Sequence, residues 1–112
     1  MKIAVVILNW NGEKLLEQFL PSIVQYSPQA DIYVADNAST DDSVSYLKAF
    51  FPTVKIIQND SNLGFAEGYN EALKEVDAEI YALVNSDIEV TENWLKPIIE
   101  TFENEPKTAI IQ

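Results

Sequence analysis

The side chain with the most evident chemistry is a lone carboxylate, Asp87, which follows the apolar run at residues 80–84. An acid at the carboxyl end of a central strand lies where open α/β sheets bind their ligands. Carboxylate oxygens are suitable ligands for Mg²⁺ or Mn²⁺. Asp87 could equally complete a turn or cap a helix before Thr91, and its position alone favours neither interpretation.

The composition narrows how such a site could hold a phosphate group. The chain contains no His, no Cys and no Arg, and it lacks both glycine-rich phosphate loops, G-x-G-x-x-G and G-x-x-x-x-G-K-[ST]. A diphosphate bound here would therefore need a divalent cation to bridge its oxygens to a carboxylate. Asp87 is the natural ligand for that cation.

Length and charge set broader limits. The 112 residues suit one domain, and a formal net charge of −11 repels DNA and RNA, which argues against nucleic-acid binding. The absence of cysteine removes disulfides and thiolate metal sites, and it is compatible with a cytoplasmic location. The apolar run at the amino terminus is too short to span a membrane, so it is interpreted as the first buried strand.

The elements that must position these residues follow a regular order. Apolar, β-branched runs predict strands at residues 3–8, 32–35, 54–57 and 80–84, and each is followed by apolar residues at helical spacing. Strands that alternate with helices predict a mostly parallel sheet in a Rossmann-like α/β fold. The run at 109–112 resembles the start of a fifth strand, so the fold is expected to be truncated there, as in a fragment of something longer.

Local signals predict the helix boundaries. Pro21 is expected to kink or restart the first helix. Ser39 or Thr40 is expected to cap the second helix, the third is expected to follow Gly64, and Thr91 is expected to cap the fourth.

Polar residues end all four of these strands, and the carboxyl ends of parallel strands meet at one edge of the sheet. These ends are Asn9, Asp36, the loop at 59–62, and Asn85 with Asp87. Turn chemistry alone accounts for any single position. Trp10 stands beside the first end, where its ring could stack on a planar ligand or fill a gap under a loop.

Four segments, in this order, resemble the amino-terminal half of a family 2 (GT-A fold) glycosyltransferase of the rhamnosyltransferase-like subgroup. They are VILNWNG at 6–12, DNASTDDS at 36–43, NLGFAEGYN at 62–70 and NSD at 85–87. The resemblance covers essentially the whole chain. It implies a three-layer αβα sandwich and makes residues 1–112 the nucleotide-sugar-binding half of the domain, without the acceptor half.

The resemblance also implies roles for the residues at the edge of the sheet. Members of the family are inverting, metal-dependent transferases that use nucleotide-sugar donors. By the resemblance, Leu8, Asn9 and Trp10 would line the nucleotide pocket. Asp36 would bind the base or ribose, and the loop from Asn62 to Gly64 would close over the nucleotide. Asn85 begins the D-x-D position as an amide, which departs from the usual acid, and Asp87 would be the ligand of Mg²⁺ or Mn²⁺.

The remaining implications concern the reaction and its partners. The donor would be a UDP-, dTDP- or GDP-linked sugar, and the acceptor a saccharide or a lipid-linked molecule in cell-surface polysaccharide synthesis. The catalytic base is expected beyond Gln112, so the chain would bind without turnover. The full-length protein would be cytoplasmic or peripheral at the inner face of the membrane. The truncated sheet edge could pair two copies into a homodimer.

Two other classes of protein share this arrangement of elements. A non-catalytic flavodoxin-like domain, such as a phosphoacceptor receiver, would carry acids after the first strand, where this chain has Asn9, Trp10 and Asn11. A dinucleotide-binding oxidoreductase domain would carry the glycine fingerprint that is absent here.

Overall fold

The computed structural model describes residues 2–102 and 109–110, which form one parallel sheet with helices on both faces. The strands are β1 (Ile3–Asn9), β2 (Asp31–Asp36), β3 (Lys55–Gln58), β4 (Ile80–Asn85) and β5 (Ala109–Ile110). The helices are α1 (Glu13–Gln25), α2 (Ser43–Phe50), α3 (Phe65–Leu73) and α4 (Lys96–Phe102). The predicted α/β class is confirmed, and every pairing among the described strands is parallel.

The sheet buries both of its faces because side chains alternate along each central strand. On β1, Val5 and Ile7 face the layer that contains α1, α2 and the segment around Leu95. Ala4 and Val6 face the layer formed by α3. This two-sided burial explains why β1 is a nearly continuous apolar run, and it gives the three layers that the resemblance implied.

The strand order is β3-β2-β1-β4-β5. The chain proceeds outward from β1 to β3 and then returns to the other side of β1 to form β4. The order therefore reverses between β1 and β4, which makes their carboxyl ends the switch point where α/β sheets bind ligands. A flavodoxin-like sheet has the order 2-1-3-4-5, so the alternative of a receiver-type fold is wrong in its topology.

The structure corrects the predicted helix boundaries. α1 runs through Pro21 without a restart, because Pro21 is exposed while Leu20 and Ile23 bury the opposite side of the helix. Neither Ser39 nor Thr40 caps α2, which begins only at Ser43. The hydroxyl of Ser39 is instead bonded to Asp36.

The fourth helix also begins later than predicted. Thr91 does not cap it; a turn follows, in which the amide of Trp94 donates to the carbonyl of Thr91, and α4 starts at Lys96. Asn93 has a φ of 62°, a left-handed conformation that interrupts a helix. Pro97 is tolerated because it lies in the first turn of α4.

Two further findings concern the fifth strand and membrane-spanning helices. The fifth strand is present as Ala109–Ile110, and the last two residues of its predicted range lie outside the described residues. Within residues 2–102 and 109–110, no helix is long and apolar enough to cross a membrane.

Candidate functional site

The sequence-predicted residues of β1 and β4 meet at the switch point of the sheet. Leu8 lies opposite Asn85 in the parallel register, and both are half-buried. Trp10 is the first residue after β1, and its side chain is 53% exposed. Such exposure of a large aromatic leaves a ring face available for stacking on a ligand. The exposure of Trp10 is compatible with stacking on a planar ligand, which stays a prediction.

Asp87 lies in the turn that ends β4 and projects to the surface. The turn is closed by the amide of Ile88, which donates to the carbonyl of Asn85 at 3.3 Å. Asp87 is exposed, and the structure gives its carboxylate no hydrogen bond or ion pair with any residue of 2–102. It caps no helix, since α4 begins nine residues later at Lys96. Its carboxylate is free to bind a ligand.

The donors near Asp87 fit a shared cation rather than a closed metal cage. Within the described residues, no group of three or more acidic, His or Cys side chains converges to hold a metal ion. Mg²⁺ commonly keeps several waters and binds through one or two carboxylates together with substrate phosphates. One exposed carboxylate, two residues after Asn85 in the chain, matches that mode of binding, in which the phosphate supplies the remaining ligands.

Asp36 lies at the centre of a buried polar cluster that joins the ends of β1 and β2. Its side chain is only 2% exposed, and it stands directly opposite Asn9 in the register. Its carboxylate accepts hydrogen bonds from Asn9 Nδ2 at 2.9 Å, from Ser39 Oγ at 2.6 Å and from the Ser39 amide at 2.9 Å. In this conformation the carboxylate holds the loop after β2, and its contact with a base or ribose stays a prediction.

Asn11 connects the loop that bears Trp10 to the loop after β2. Its Oδ1 accepts hydrogen bonds from the amides of Thr40 at 2.7 Å and Asp41 at 3.2 Å, and its own amide donates to Ser39 Oγ at 2.9 Å. Asn11 has a φ of 49°, a left-handed conformation that Asn tolerates better than most residues. The two loops therefore form one connected unit.

Asp41 extends this unit to the first turns of α1 and α2. Its carboxylate accepts hydrogen bonds from the amides of Ser43 at 3.0 Å and Glu13 at 3.2 Å. Burial raises the pKa of the Asp41 carboxyl. The hydrogen bonds from Ser43 and Glu13 together lower the pKa by more than burial raises it, so the pKa lies below its ordinary value. Asp41 thus accepts from the first amide of α2, while the cap position itself is Asp42, whose side chain makes no capping hydrogen bond.

A second polar cluster holds the predicted nucleotide-closing loop in place. The buried side chain of Asn37 donates to the carbonyl of Gly64 at 3.0 Å and to Asn62 Oδ1 at 3.4 Å, and it accepts from Asn59 Nδ2 at 2.7 Å. Asn62 Oδ1 also accepts from the amide of Gly64, whose φ is 80°. The loop is therefore anchored from below, while Phe65 at the start of α3 is half exposed.

The sequence predicted no connecting role for Asn11, Asn37 or Ser39, and Ser39 was expected to cap a helix, although all three lie within the segments at 6–12 and 36–43. Their signal was present as polar residues beside strand ends. Their function as connectors depends on which loops lie next to each other, and that information comes from the strand order.

Gly12 is required by the buried amide of Asn9. A Cβ at Gly12 would lie 2.5 Å from Asn9 Oδ1, which is buried and has no hydrogen-bond partner among the described residues. We expect Gly12→Ala to lower the free energy of unfolding by about 2 kcal/mol, because the buried side chain has no room to yield. Urea denaturation measures this loss. In the Asn9→Ala background the same substitution should cost less than half as much, and equal costs would contradict the clash.

A buried tyrosine lies beneath the switch point. Tyr69 on α3 donates to the carbonyl of Val84 at 2.9 Å and accepts from the amide of Leu8 at 3.4 Å. The edge of its ring meets Phe65 with centroids 5.1 Å apart. Burial raises the pKa of the Tyr69 hydroxyl to about 12, although the hydrogen bond from Leu8 opposes that shift.

The raised pKa of Tyr69 predicts a loss of stability at high pH. The neutral phenol is favoured in the folded chain, so its contribution is complete below the ordinary tyrosine pKa of about 10 and is lost as the pH rises to about 12. We expect the free energy of unfolding to fall across that interval. Urea denaturation at several pH values should show a smaller fall in Tyr69→Phe, and an identical fall would contradict the assignment.

A groove lined by described residues lies beside the site rather than within it. It has a volume of about 540 Å³ and runs between the loop after β3 and one face of α3. Asn59, Leu63 and Glu67 line it, but Trp10, Asp36 and Asp87 do not. This groove therefore borders the loop after β3 rather than the switch point between β1 and β4.

Comparison with known families agrees with this arrangement. The sequence model described as "Glycosyl transferase family 2" matches residues 4–112, which is nearly the whole chain. The chain belongs to glycosyl transferase family 2. The resemblance noted from the four motifs is thereby confirmed at the level of the family.

The chain matches only part of the length of its individual relatives. An uncharacterised glycosyltransferase of Bacillus subtilis is 30% identical over 98% of the chain and 29% of the relative. A second one, from Haemophilus influenzae, is 27% identical over 96% of the chain and 35% of the relative. The chain thus spans about a third of the length of these family 2 relatives.

Solved structures share the fold. S. aureus TarS in complex with UDP-GlcNAc matches with a TM-score of 0.80 and 24% identity over 93% of the chain and 32% of that protein. The mannosyltransferase PcManGT from Pyrobaculum calidifontis, in complex with GDP-Man and Mn²⁺, matches with a TM-score of 0.80 and 21% identity, over 90% of the chain and 32% of that protein. The GT-A-type fold of this family 2 chain is established by these likenesses.

Proposed function

We propose that this chain is the donor-binding part of a glycosyltransferase that uses a nucleotide-diphospho-sugar and a divalent cation. The observation that carries the proposal is the free carboxylate of Asp87 in the turn after β4, the strand that pairs with β1, which the exposed Trp10 follows. The membership of family 2 supports glycosyl transfer as the reaction. The fold neighbours that carry UDP-GlcNAc, or GDP-Man with Mn²⁺, support this class of donor.

The residues that would bind the donor lie at or just after the ends of four strands. Trp10 would stack on the base, and Asp36 with the loop from Asn62 to Gly64 would surround the nucleoside. Asp87 would hold the cation, with Asn85 beside it. A bound Mg²⁺ or Mn²⁺ would neutralise the charge that develops on the departing diphosphate. The 112 residues contain no Arg, so no guanidinium of this chain could neutralise that charge in place of the cation.

The finer assignments are part of the same proposal. Transfer would proceed with inversion and serve cell-surface polysaccharide synthesis, with a saccharide or lipid-linked acceptor. The teichoic acid poly(glycerol phosphate) polymerase of Staphylococcus epidermidis, 26% identical over 92% of the chain and 15% of the relative, supports that setting. The rhamnosyltransferase-like subgroup is proposed from the NSD segment, in which Asn85 replaces the first acid.

Calorimetric titration tests the donor and the cation together. UDP, dTDP and GDP are each titrated into the chain with and without Mn²⁺. One of the three is expected to bind with Mn²⁺ and to lose most of its affinity without it. Equal binding of that nucleotide in both conditions would refute the role of the cation, and no binding of any of the three would refute the proposed donor class.

Turnover is proposed to require residues beyond this chain. The base that deprotonates the acceptor hydroxyl is expected beyond Gln112, so the 112-residue chain would bind the donor without transferring its sugar. A transfer assay with matched donor and acceptor measures this directly. Product formed by the 112-residue chain would overturn this part of the proposal.

Two proposals concern assembly and location. β5 lies at one edge of the described sheet, and an unpaired strand edge favours association, so a homodimer through that edge is proposed. Light scattering at high protein concentration tests it, and a monomer would contradict it.

A cytoplasmic location, with attachment of the full-length protein at the inner membrane face, is proposed because the proposed reaction serves cell-surface polysaccharide synthesis.

A further inference from the structure

The hydroxyl of Tyr69 forms hydrogen bonds with both β1 and β4 near the last paired position of the two strands. It donates to Val84 O on β4 at 2.9 Å and accepts from Leu8 N on β1 at 3.4 Å. Leu8 is followed by Asn9 and then Trp10, and Val84 is followed by the turn at 85–88. One side chain on α3 therefore connects the two segments that carry the aromatic ring and the carboxylate.

The register shows where this hydroxyl meets the ladder between β1 and β4. Leu8 is paired with Asn85. In a parallel strand alternate residues face the same neighbour, and Asn9 faces β2 because its carbonyl accepts from the amide of Asn37. The amide of Leu8 therefore faces β4 and the carbonyl that precedes its partner there. For Leu8 that carbonyl belongs to Val84, which is the group that accepts from Tyr69. The hydroxyl thus takes part in the ladder where the strands diverge.

We infer that Tyr69 is a positioning residue that sets the span between the Trp10 loop and the Asp87 turn. This inference rests on the proposed function, in which one ligand contacts both segments. The base and the metal-bound diphosphate are linked covalently, so both contacts form together only when the span matches the ligand. A change in the span weakens the diphosphate complex and leaves the contact with the nucleoside alone unaffected.

The packing around Tyr69 makes it a firm support. Its ring is buried against the sheet and contacts Phe65 one turn earlier on α3. A Cβ at Gly68 would lie 2.7 Å from Asn37 Nδ2 and 3.0 Å from Leu8 Cδ1, so α3 approaches the sheet closely at this point. The hydroxyl is therefore held in place by the helix rather than by a flexible loop.

The chain offers a matched control in Tyr81. Its hydroxyl also bonds to two backbone groups, donating to Val76 O at 2.9 Å and accepting from Ala78 N at 3.2 Å. Tyr81 lies near the amino end of β4, opposite Ala4, whereas the site lies at the carboxyl end. Tyr81→Phe removes the same bonding pattern without touching the switch point.

The binding experiment compares wild type, Tyr69→Phe and Tyr81→Phe. Each is titrated with the nucleoside diphosphate that binds wild type in Mn²⁺, and with the corresponding nucleoside alone. Tyr69→Phe is expected to weaken the diphosphate complex at least fivefold and to change nucleoside affinity less than twofold. Tyr81→Phe is expected to change neither. Equal losses in both variants, or equal losses for both ligands in Tyr69→Phe, would overturn the inference.

A measurement without ligand keeps this inference separate from the proposed function. Backbone amide resonances are assigned in the three proteins, and those of Trp10 and residues 85–87 are compared. Both segments are expected to shift in Tyr69→Phe and to remain in place in Tyr81→Phe. If wild type binds no nucleotide, the proposed donor class fails, and these shifts decide the positioning role. Unshifted resonances in Tyr69→Phe would overturn that role whatever the binding result.

Discussion

Replacing Asp87 by alanine is expected to lower the affinity for the nucleoside diphosphate in Mn²⁺ to the value measured without the metal. The structure leaves this carboxylate exposed and without a protein partner among residues 2–102, so its charge is available to a cation. Residues that merely support a metal ligand change metal affinity 10- to 100-fold, so loss of the ligand itself should cost about 100-fold. Calorimetric titration with and without Mn²⁺ measures the difference.

The stability of the Asp87→Ala variant distinguishes a lost ligand from a damaged fold. An exposed side chain without partners should change the free energy of unfolding by less than about 0.5 kcal/mol. Glu89→Ala is the matched control, because it removes an equal charge from an exposed position two residues away. If Glu89→Ala lowers the affinity as much as Asp87→Ala, the metal responds to the general negative field and Asp87 is not its ligand.

The strands and their parallel arrangement could be predicted from the sequence because burial on both faces leaves a local signature. Continuous β-branched runs such as residues 3–8 have few alternative structures, and the observed β1 differs from that range by one residue. Helix starts were harder to predict. The spacing from Thr91 to Ile98 suits a helix, but Asn93 adopts a left-handed conformation and Pro97 favours a first-turn position.

The sequence could predict which residues follow each strand, but not which of them contact one another. Trp10 and Asp87 follow central strands, as the sequence predicted, and both are exposed, while their roles stay predictions. Ser39 shows the limit of such reasoning. A local rule makes it a helix cap, whereas its hydroxyl donates to Asp36 and accepts from Asn9 on another strand. The position of Tyr69 beneath two strand ends likewise follows from the packing of α3, which no short motif encodes.

Replacing Asp36 by alanine is expected to lower the free energy of unfolding by about 3 kcal/mol. Three donors lose an acceptor, namely Asn9 Nδ2 in a buried position and the amide and hydroxyl of Ser39 in partly buried ones. Each buried donor left unpaired costs about 1–3 kcal/mol, although rearrangement of Ser39 recovers part of that sum. Urea denaturation followed by circular dichroism measures the change.

The control for Asp36→Ala is Asp77→Ala, which removes an exposed carboxylate from the segment after α3 and should change stability by less than about 0.5 kcal/mol. Ser39→Ala breaks the hydrogen bonds of its hydroxyl with Asp36, Asn9 and Asn11, but it leaves the Asp36 carboxylate to accept from Asn9 and from the backbone amide at 39, so its cost should be about 1 kcal/mol. The order Asp36, then Ser39, then Asp77 follows from burial: the bond from Asn9 to Asp36 is buried, the bonds of the Ser39 hydroxyl are partly buried or exposed, and Asp77 is exposed. A loss at Asp36 no greater than that at Asp77 would mean that the carboxylate does not hold the two loops together, and it would leave Asp36 free to serve the nucleotide alone.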